Sequence, residues 1–266
     1  MKKAGYLSRF LSQVLHRKPD DTDEEFLIYG DNLKVIKSIS PDDGMFVGNS
    51  DHYFSVGFSA LRCIRIALTL ANKQTCRTIL DLPCGHGRVL RFLKAEFPDA
   101  QFTACDLQRS AVDFCAEAFG AAPAYANEDP AQTNIQGPFD LIWCGSLLTH
   151  LDQNRWCSFL SFFEGLLSPR GVLVFTTHGR LTVRHVQEGT YDYGIYGQPP
   201  KDLLDDYHRS GFGFANYPND MNYGISASSP SWVLSQLERL PKVRILTYIE
   251  RGWDDHQDVV ASQRSD

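Results

Sequence analysis

The chain has 266 residues, 43% of them hydrophobic, and a formal net charge of −6. That length and apolar content suit one sizeable α/β domain spanning residues 1–266, with no second domain required. The acidic balance and the lack of a long Lys/Arg run exclude the basic face a nucleic-acid partner needs, and no apolar run suggests a membrane span, so no membrane insertion and a cytoplasmic location are expected.

The first segment is amphipathic without the apolar centre of a signal peptide, and reads as a helix from about Ala4 to Leu15. An acidic solvated stretch, Asp20 to Glu25, follows, then a loop around Pro41 to Gly44 that leads through His52, Tyr53 and Gly57. A long helix is expected from about Phe58 to Asn72. Thr78 to Leu93 then reads as a buried strand, a glycine-bearing turn and an amphipathic helix. Gly85 and Gly87 allow close backbone approach to a ligand, and the helix aims unpaired N–H groups at it. A dinucleotide site wants three glycines for a pyrophosphate, whereas here Asp81 ends the strand. An anion in that place repels pyrophosphate and suits a cationic amino-acid ligand.

The motif Asp81-x-Pro83-x-Gly85-x-Gly87 resembles motif I of the class I S-adenosylmethionine-dependent methyltransferases. Pro83 stands where that family usually has its first glycine, which requires extended backbone there. The resemblance continues along the chain. The run from Ala100 ends in Cys105-Asp106-Leu107, about twenty residues past the turn, where a carboxylate at a strand end takes ribose hydroxyls. A short strand near Ala122 to Ala126 delivers Asn127 and Glu128 to the same edge, where the resemblance places an adenine contact. The strand Phe139 to Cys144 leads to Gly145 and His150, then to a helix, a Pro169-Arg170-Gly171 turn and a fifth strand, Val172 to Thr176. This is similar to the family's fourth and fifth motifs.

The resemblance therefore implies S-adenosyl-L-methionine as cofactor. Asp81, Pro83, Cys84, Gly85, Gly87, Asp106, Leu107, Asn127, Glu128, Cys144 and Gly145 are the expected cofactor-binding residues. Seven cysteines carry no C-x-x-C pair and no zinc spacing, so reduced thiols and no metal are expected; Cys84, Cys105 and Cys144 read as small residues packed beneath the ligand.

Residues 1–75 should form an N-terminal helical cap that shapes the substrate mouth, with Tyr53 a candidate contact. The segment from His178 to about Leu240 exceeds what such a domain needs. Its tyrosines, among them Tyr191, Tyr193, Tyr196, Tyr217 and Tyr223, are interleaved with glycines and read as short strands and turns. An insertion or lid over 179–230 is expected, offering flat apolar faces with hydroxyls to a sugar or other small-molecule acceptor. The helix Ser231 to Leu240 follows it. Lys242 to Ile249 and His256 to Ala261 alternate as a terminal hairpin, which resembles the last two strands of the family's Rossmann-like seven-stranded sheet. The implied order is 3-2-1-4-5-7-6, with the last strand antiparallel and helices on both faces.

That order brings His178, leaving the fifth strand, near His256, entering the last. Both are candidate bases for a hydroxyl acceptor, with Asp254 or Asp255 to orient the ring. Tyr53, His150, Tyr193, Tyr223 and Trp253 are candidate substrate contacts. O-methylation of a small molecule or sugar is the favoured function. A dinucleotide-dependent oxidoreductase, and a catalytically silent cofactor-binding member that stabilises a partner protein, are the alternatives.

Overall fold

The computed structural model describes residues 26–30, 32–195, 201–218, 220 and 222–265. The helix expected near Ala4 to Leu15, the acidic stretch Asp20 to Glu25, and Tyr196 lie outside these.

In chain order, the hairpin β1 (Phe26–Tyr29) and β2 (Leu33–Ile36) precedes the helix α1 (Ser50–Leu70). Then come β3 (Thr78–Asp81), α2 (Leu90–Glu96), β4 (Gln101–Asp106), α3 (Arg109–Phe119), β5 (Ala122–Tyr125), β6 (Phe139–Cys144), α4 (Gln153–Leu166) and β7 (Leu167–Thr177). The insertion holds α5 (Arg180–Glu188), α6 (Lys201–Ser210), β8 (Phe212–Asn216) and β9 (Gly224–Ser228). The chain closes through α7 (Pro230–Leu237), β10 (Val243–Trp253) and β11 (Gln257–Arg264).

The main sheet runs β5-β4-β3-β6-β7-β11-β10. Counted along the sheet-forming strands this is the expected order, 3-2-1-4-5-7-6. Five neighbouring strands are parallel, and β11 lies antiparallel to both β7 and β10. Successive side chains of a strand alternate between faces. Ile79, Leu141, Val172 and Val174 accordingly pack on Leu61, Ile64, Leu90 and Phe92 of α1 and α2. Leu80, Ile142, Leu173 and Phe175 pack on Trp156, Phe163 and Trp232 of α4 and α7. Helices thus cover both faces, and every parallel strand ends at one edge.

Three local expectations are corrected. Helix α1 begins at Ser50, eight positions before Phe58, because the Asn49 side chain accepts from the His52 amide and caps it. His52 through Gly57 are therefore helical. This helix is also long and apolar enough, by length and composition alone, to cross a membrane; here its apolar side is core. The insertion, expected as strands and turns, contains two helices as well as the β8–β9 hairpin. Arg180–Glu188 buries Val183 and Val186 on one face and stops at Gly189, which is left-handed at φ 62°. The tyrosine and glycine content masked that helical spacing.

The insertion has a small core of its own, with Val183, Val186, Leu203, Ile225 and Ala227 buried. It is seated on the carboxyl edge of the sheet. The Ser228 amide donates to the His178 carbonyl at 2.8 Å, and the Ser226 hydroxyl donates to the Leu148 carbonyl at 2.8 Å.

Candidate functional site

Strand β3 delivers Asp81 to the carboxyl edge, buried at 1% exposure, and neither carboxylate oxygen has a hydrogen-bond partner among the described residues. Burial, and then the charge of Asp106, push its pKa well above the usual carboxylate range. A buried carboxyl group without a partner is costly, and a bound cation would satisfy it. The turn that follows is fastened from the next strand. The Gly85 amide donates to Asp106 Oδ2 at 2.9 Å, and the Gln108 amide donates to Oδ1 at 2.9 Å. The N-cap of α3 is Gln108, which makes no side-chain cap bond.

The two glycines of the turn differ. Gly85 has φ 47° and open space where a Cβ would stand, as a ligand cradle requires. At Gly87, a Cβ would lie 2.2 Å from the Phe119 ring, so this glycine serves helix packing as well as the turn. Between them His86 is buried, its Nδ1 3.9 Å from Asp43 Oδ1. Arg91, one turn further on, donates to the carbonyls of Gly87, Ile36 and Ser38, which ties the N-terminal segment to the turn.

Leu107 stands exposed beside Asp106. Asn127 and Glu128 are at the end of β5, where the Asn127 side chain accepts from the Asp129 amide and Glu128 is exposed. Cys84, Cys105 and Cys144 are buried thiols; burial pushes Cys105 up to about 12. All seven cysteines are free. Gly145 follows β6, where a Cβ would meet the Trp143 indole at 2.8 Å.

Beside the turn lies a cavity of about 730 Å³. Its walls include Arg88 from the turn, His52 and Val56 from α1, Ser146 and His150 after β6, and His178 after β7. His185, Tyr191, Tyr193 and Tyr217 come from the insertion, and Trp253 and His256 from the terminal hairpin. His178 and His256 meet as the strand order required, with ring centroids 5.9 Å apart and planes at 90°. Neither Asp254 nor Asp255 bonds His256. The two aspartates turn the hairpin in left-handed backbone at φ 54° and 53°, Asp255 binds Arg251, and among the described residues no ring hydrogen bond holds His256. Tyr191, Tyr193 and His185 pack around it instead, the tyrosines with ring centroids 5.4 and 5.6 Å from His256.

His150 is the most tightly fixed of these rings. Its Nδ1 lies 2.9 Å from the Gly224 carbonyl and 2.9 Å from the Tyr217 hydroxyl, and Tyr223 stacks on it at 4.8 Å. A carbonyl only accepts, so Nδ1 carries the proton and Nε2 presents a lone pair. Burial lowers the pKa of His150, of His256 and, furthest, of His178, so all three favour the neutral form. The Nδ1 of His178 is sealed from solvent without a partner among the described residues.

Of the expected substrate contacts, His150, Tyr193 and Trp253 line the cavity. Tyr53 does not: it is 1% exposed, with its hydroxyl donating to Asp43 at 2.6 Å. Tyr223 does not line the cavity but packs on His150 and Tyr217, which do. Lining residues not foreseen include Arg88, His185 and Ser146. Arg88 directly follows Gly87, and a basic residue at a ligand turn is a signal the sequence did contain. Among the described residues, no group of three or more His, Cys, Asp or Glu could hold a metal ion.

Residues 80–173 match the family described as a methyltransferase domain. No curated protein matches the chain in sequence. Among solved structures, the chain is similar to an S-adenosylmethionine-dependent methyltransferase from Clostridium acetobutylicum, at TM-score 0.53 and 15% identity over 80% of this chain and 92% of that one. It is also similar to an O-methyltransferase family protein from Burkholderia thailandensis, at TM-score 0.52 and 17% identity over 81% of this chain and 59% of the other. A third is the amino pentose methyltransferase CalS10 from Micromonospora echinaspora, at TM-score 0.52 and 13% identity over 78% and 90%.

Proposed function

We propose that the chain, whose residues 80–173 match a methyltransferase domain, is a class I S-adenosylmethionine-dependent methyltransferase that methylates an oxygen atom of a small molecule or sugar. The observation that carries this reading is a shared space. Arg88 enters the cavity from the cofactor turn, while His150, His178 and His256 line the same cavity from the carboxyl edge of the sheet. A group held by the turn and a hydroxyl held among the histidines would therefore face each other.

The cofactor's sulfonium supplies an electrophilic methyl group, so the chain has to align the acceptor and take its proton. Asp81 offers a carboxylate to the cationic end of the cofactor, Gly85 the open backbone, and Asp106 with Leu107 the ribose and adenine side. Asn127, Glu128, Cys144 and Gly145 complete that edge, with Pro83 and Cys84 setting the turn.

For the proton, His150 Nε2 is the best suited acceptor, because the Gly224 carbonyl fixes the tautomer and burial keeps the ring neutral. His256, with no ring hydrogen bond among the described residues, is the second candidate. His178, sealed at Nδ1, backs the other two. Residues 179–230 act as the lid, and Tyr191, Tyr193 and Tyr217 give it flat faces with hydroxyls, which suit a sugar ring or an aromatic acceptor.

The test is incubation with methyl-labelled S-adenosylmethionine and fractionated cell extract. Label should enter a hydroxyl-bearing small molecule as an ether. Binding of S-adenosylhomocysteine with no label in any fraction would favour a silent cofactor-binding member; label on nitrogen or carbon would overturn the oxygen assignment.

A further inference from the structure

Ser146 follows β6 and Gly145, lines the cavity, and holds left-handed backbone at φ 59°. A residue with a Cβ meets a steric penalty there, and the conformation persists only where its surroundings enforce it. Neighbouring strands do so at the carboxyl edge. The Ser146 amide donates to Thr176 Oγ1 at 2.8 Å, the Thr176 hydroxyl donates to Gln257 Oε1 at 2.6 Å, and Gln257 Nε2 donates to Ser146 Oγ at 3.0 Å. Thr176 is buried in β7, and Gln257 opens β11 and lines the cavity beside Ser146.

The distances fix the direction in which this ring of bonds runs. A separation of 2.6 Å suits O–H···O and is short for N–H···O, so Gln257 turns its oxygen to Thr176 and its nitrogen to Ser146. Ser146 Oγ therefore accepts within the ring, and its own proton is not used there. Thr149 Oγ1, its other neighbour among the described residues, lies 3.5 Å away, too far to hold that proton well. The hydroxyl keeps a proton to donate, in the cavity that His150, His178 and His256 also line.

We propose that Ser146 donates this hydrogen bond to the methyl-accepting atom and thereby selects oxygen over nitrogen. A hydroxyl oxygen has two lone pairs, whereas a neutral amine nitrogen has one. In the transfer, one lone pair of the acceptor forms the new bond to the methyl carbon. The carbon–sulfur bond breaks with its pair staying on sulfur, and the acceptor's proton passes to a neutral histidine. An oxygen so engaged still has a lone pair for Ser146; an amine would have to offer Ser146 the pair that attacks. Gln257 and Thr176 are positioning residues, which hold the serine in left-handed backbone and leave its proton free for the acceptor.

This inference rests on the oxygen reading above and names a group that enforces it. The test uses the full chain, S-adenosylhomocysteine, and the extract fraction that the wild type labels. Glycine suits left-handed backbone, so Ser146→Gly removes the hydroxyl without straining the edge. Gln257→Glu keeps the shape but replaces the amide donor by an acceptor, which draws the Ser146 proton into the ring. Both variants should bind S-adenosylhomocysteine with wild-type affinity in calorimetry and lose tenfold or more of the maximal rate of ether labelling. The double variant should be no slower than Ser146→Gly, because both changes remove the same donor. A wild-type rate in Ser146→Gly overturns the proposal, and so does weakened S-adenosylhomocysteine binding there, since the hydroxyl would then serve the cofactor. A wild-type rate in Gln257→Glu, or additive losses in the double variant, overturns the coupling on which it stands. Wild-type protein that binds S-adenosylhomocysteine but labels nothing, or labels nitrogen, refutes the oxygen reading itself and this inference with it.

Discussion

The Gly85 amide donates to Asp106 Oδ2 at 2.9 Å, so the residue ending the second parallel strand fastens the turn that follows the first. One carboxylate thereby holds the cradle in shape while standing at the place proposed for the ribose. Asp106→Ala removes the acceptor of both the Gly85 and Gln108 amides, and hydrogen bonds to charged groups contribute about 1.5–3 kcal/mol each. The variant should melt at lower temperature and bind S-adenosylhomocysteine at least tenfold more weakly. An intact fold with unchanged affinity in calorimetry would remove Asp106 from the site.

Asp81 gives a prediction about protons. Burial and the charge of Asp106 raise its pKa, and an ammonium beside it would draw the pKa down. S-adenosylhomocysteine binding should therefore release protons, and affinity should rise with pH until the free protein's Asp81 is ionised. Calorimetry in buffers of different ionisation enthalpy reads the release directly. In Asp81→Asn the release should vanish; a release that persists there would assign the proton to another group.

The parallel strands and their order were legible because each is a short apolar run ended by a polar or glycine-bearing turn, and because the terminal hairpin alternates. The His178 and His256 encounter followed from that order alone. The start of α1 was hidden because its first turn, Ser50 to Tyr53, is polar and aromatic, and only the Asn49 cap marks it. Helix α5 was hidden by its neighbours' tyrosines and glycines. Arg88 differs: its place directly after Gly87 was legible, but its lack of a partner among the described residues is a property of the folded chain.

Gly57 tests how closely α1 approaches the cofactor turn. A Cβ there would lie 2.4 Å from the Arg88 carbonyl and 2.5 Å from the Phe92 ring. Alanine in a helix interior ordinarily gains about 1 kcal/mol over glycine, but overpacking costs about 1–3 kcal/mol, and a backbone carbonyl cannot step aside as a flexible side chain can. Gly57→Ala should therefore destabilise the protein in urea denaturation. Gly165→Ala, in α4 with nothing within 4 Å of its Cβ position, should stabilise it by about 0.5–1 kcal/mol. The same sign for both would refute the close approach at Gly57.

The histidines of the cavity should set the acid limit of the protein. His150, His178 and His256 have pKa values lowered in the fold, chiefly by burial, and His178 and His256 are lowered further by neighbouring histidines. The unfolded chain therefore binds more protons than the native one once the pH falls below about 6.5, the ordinary histidine value. The sign is fixed by that difference: their contribution is fully present above about pH 6.5 and is lost as the pH falls toward and below the lowered native values. Each site that titrates only in the unfolded chain adds a slope of up to about 1.4 kcal/mol per pH unit. His178, the most deeply buried, should dominate. Denaturation midpoints measured from pH 7.5 to 5 should fall steadily in the wild type and less steeply in His178→Gln, whose side chain cannot charge. Parallel slopes in the two proteins would place the acid sensitivity elsewhere.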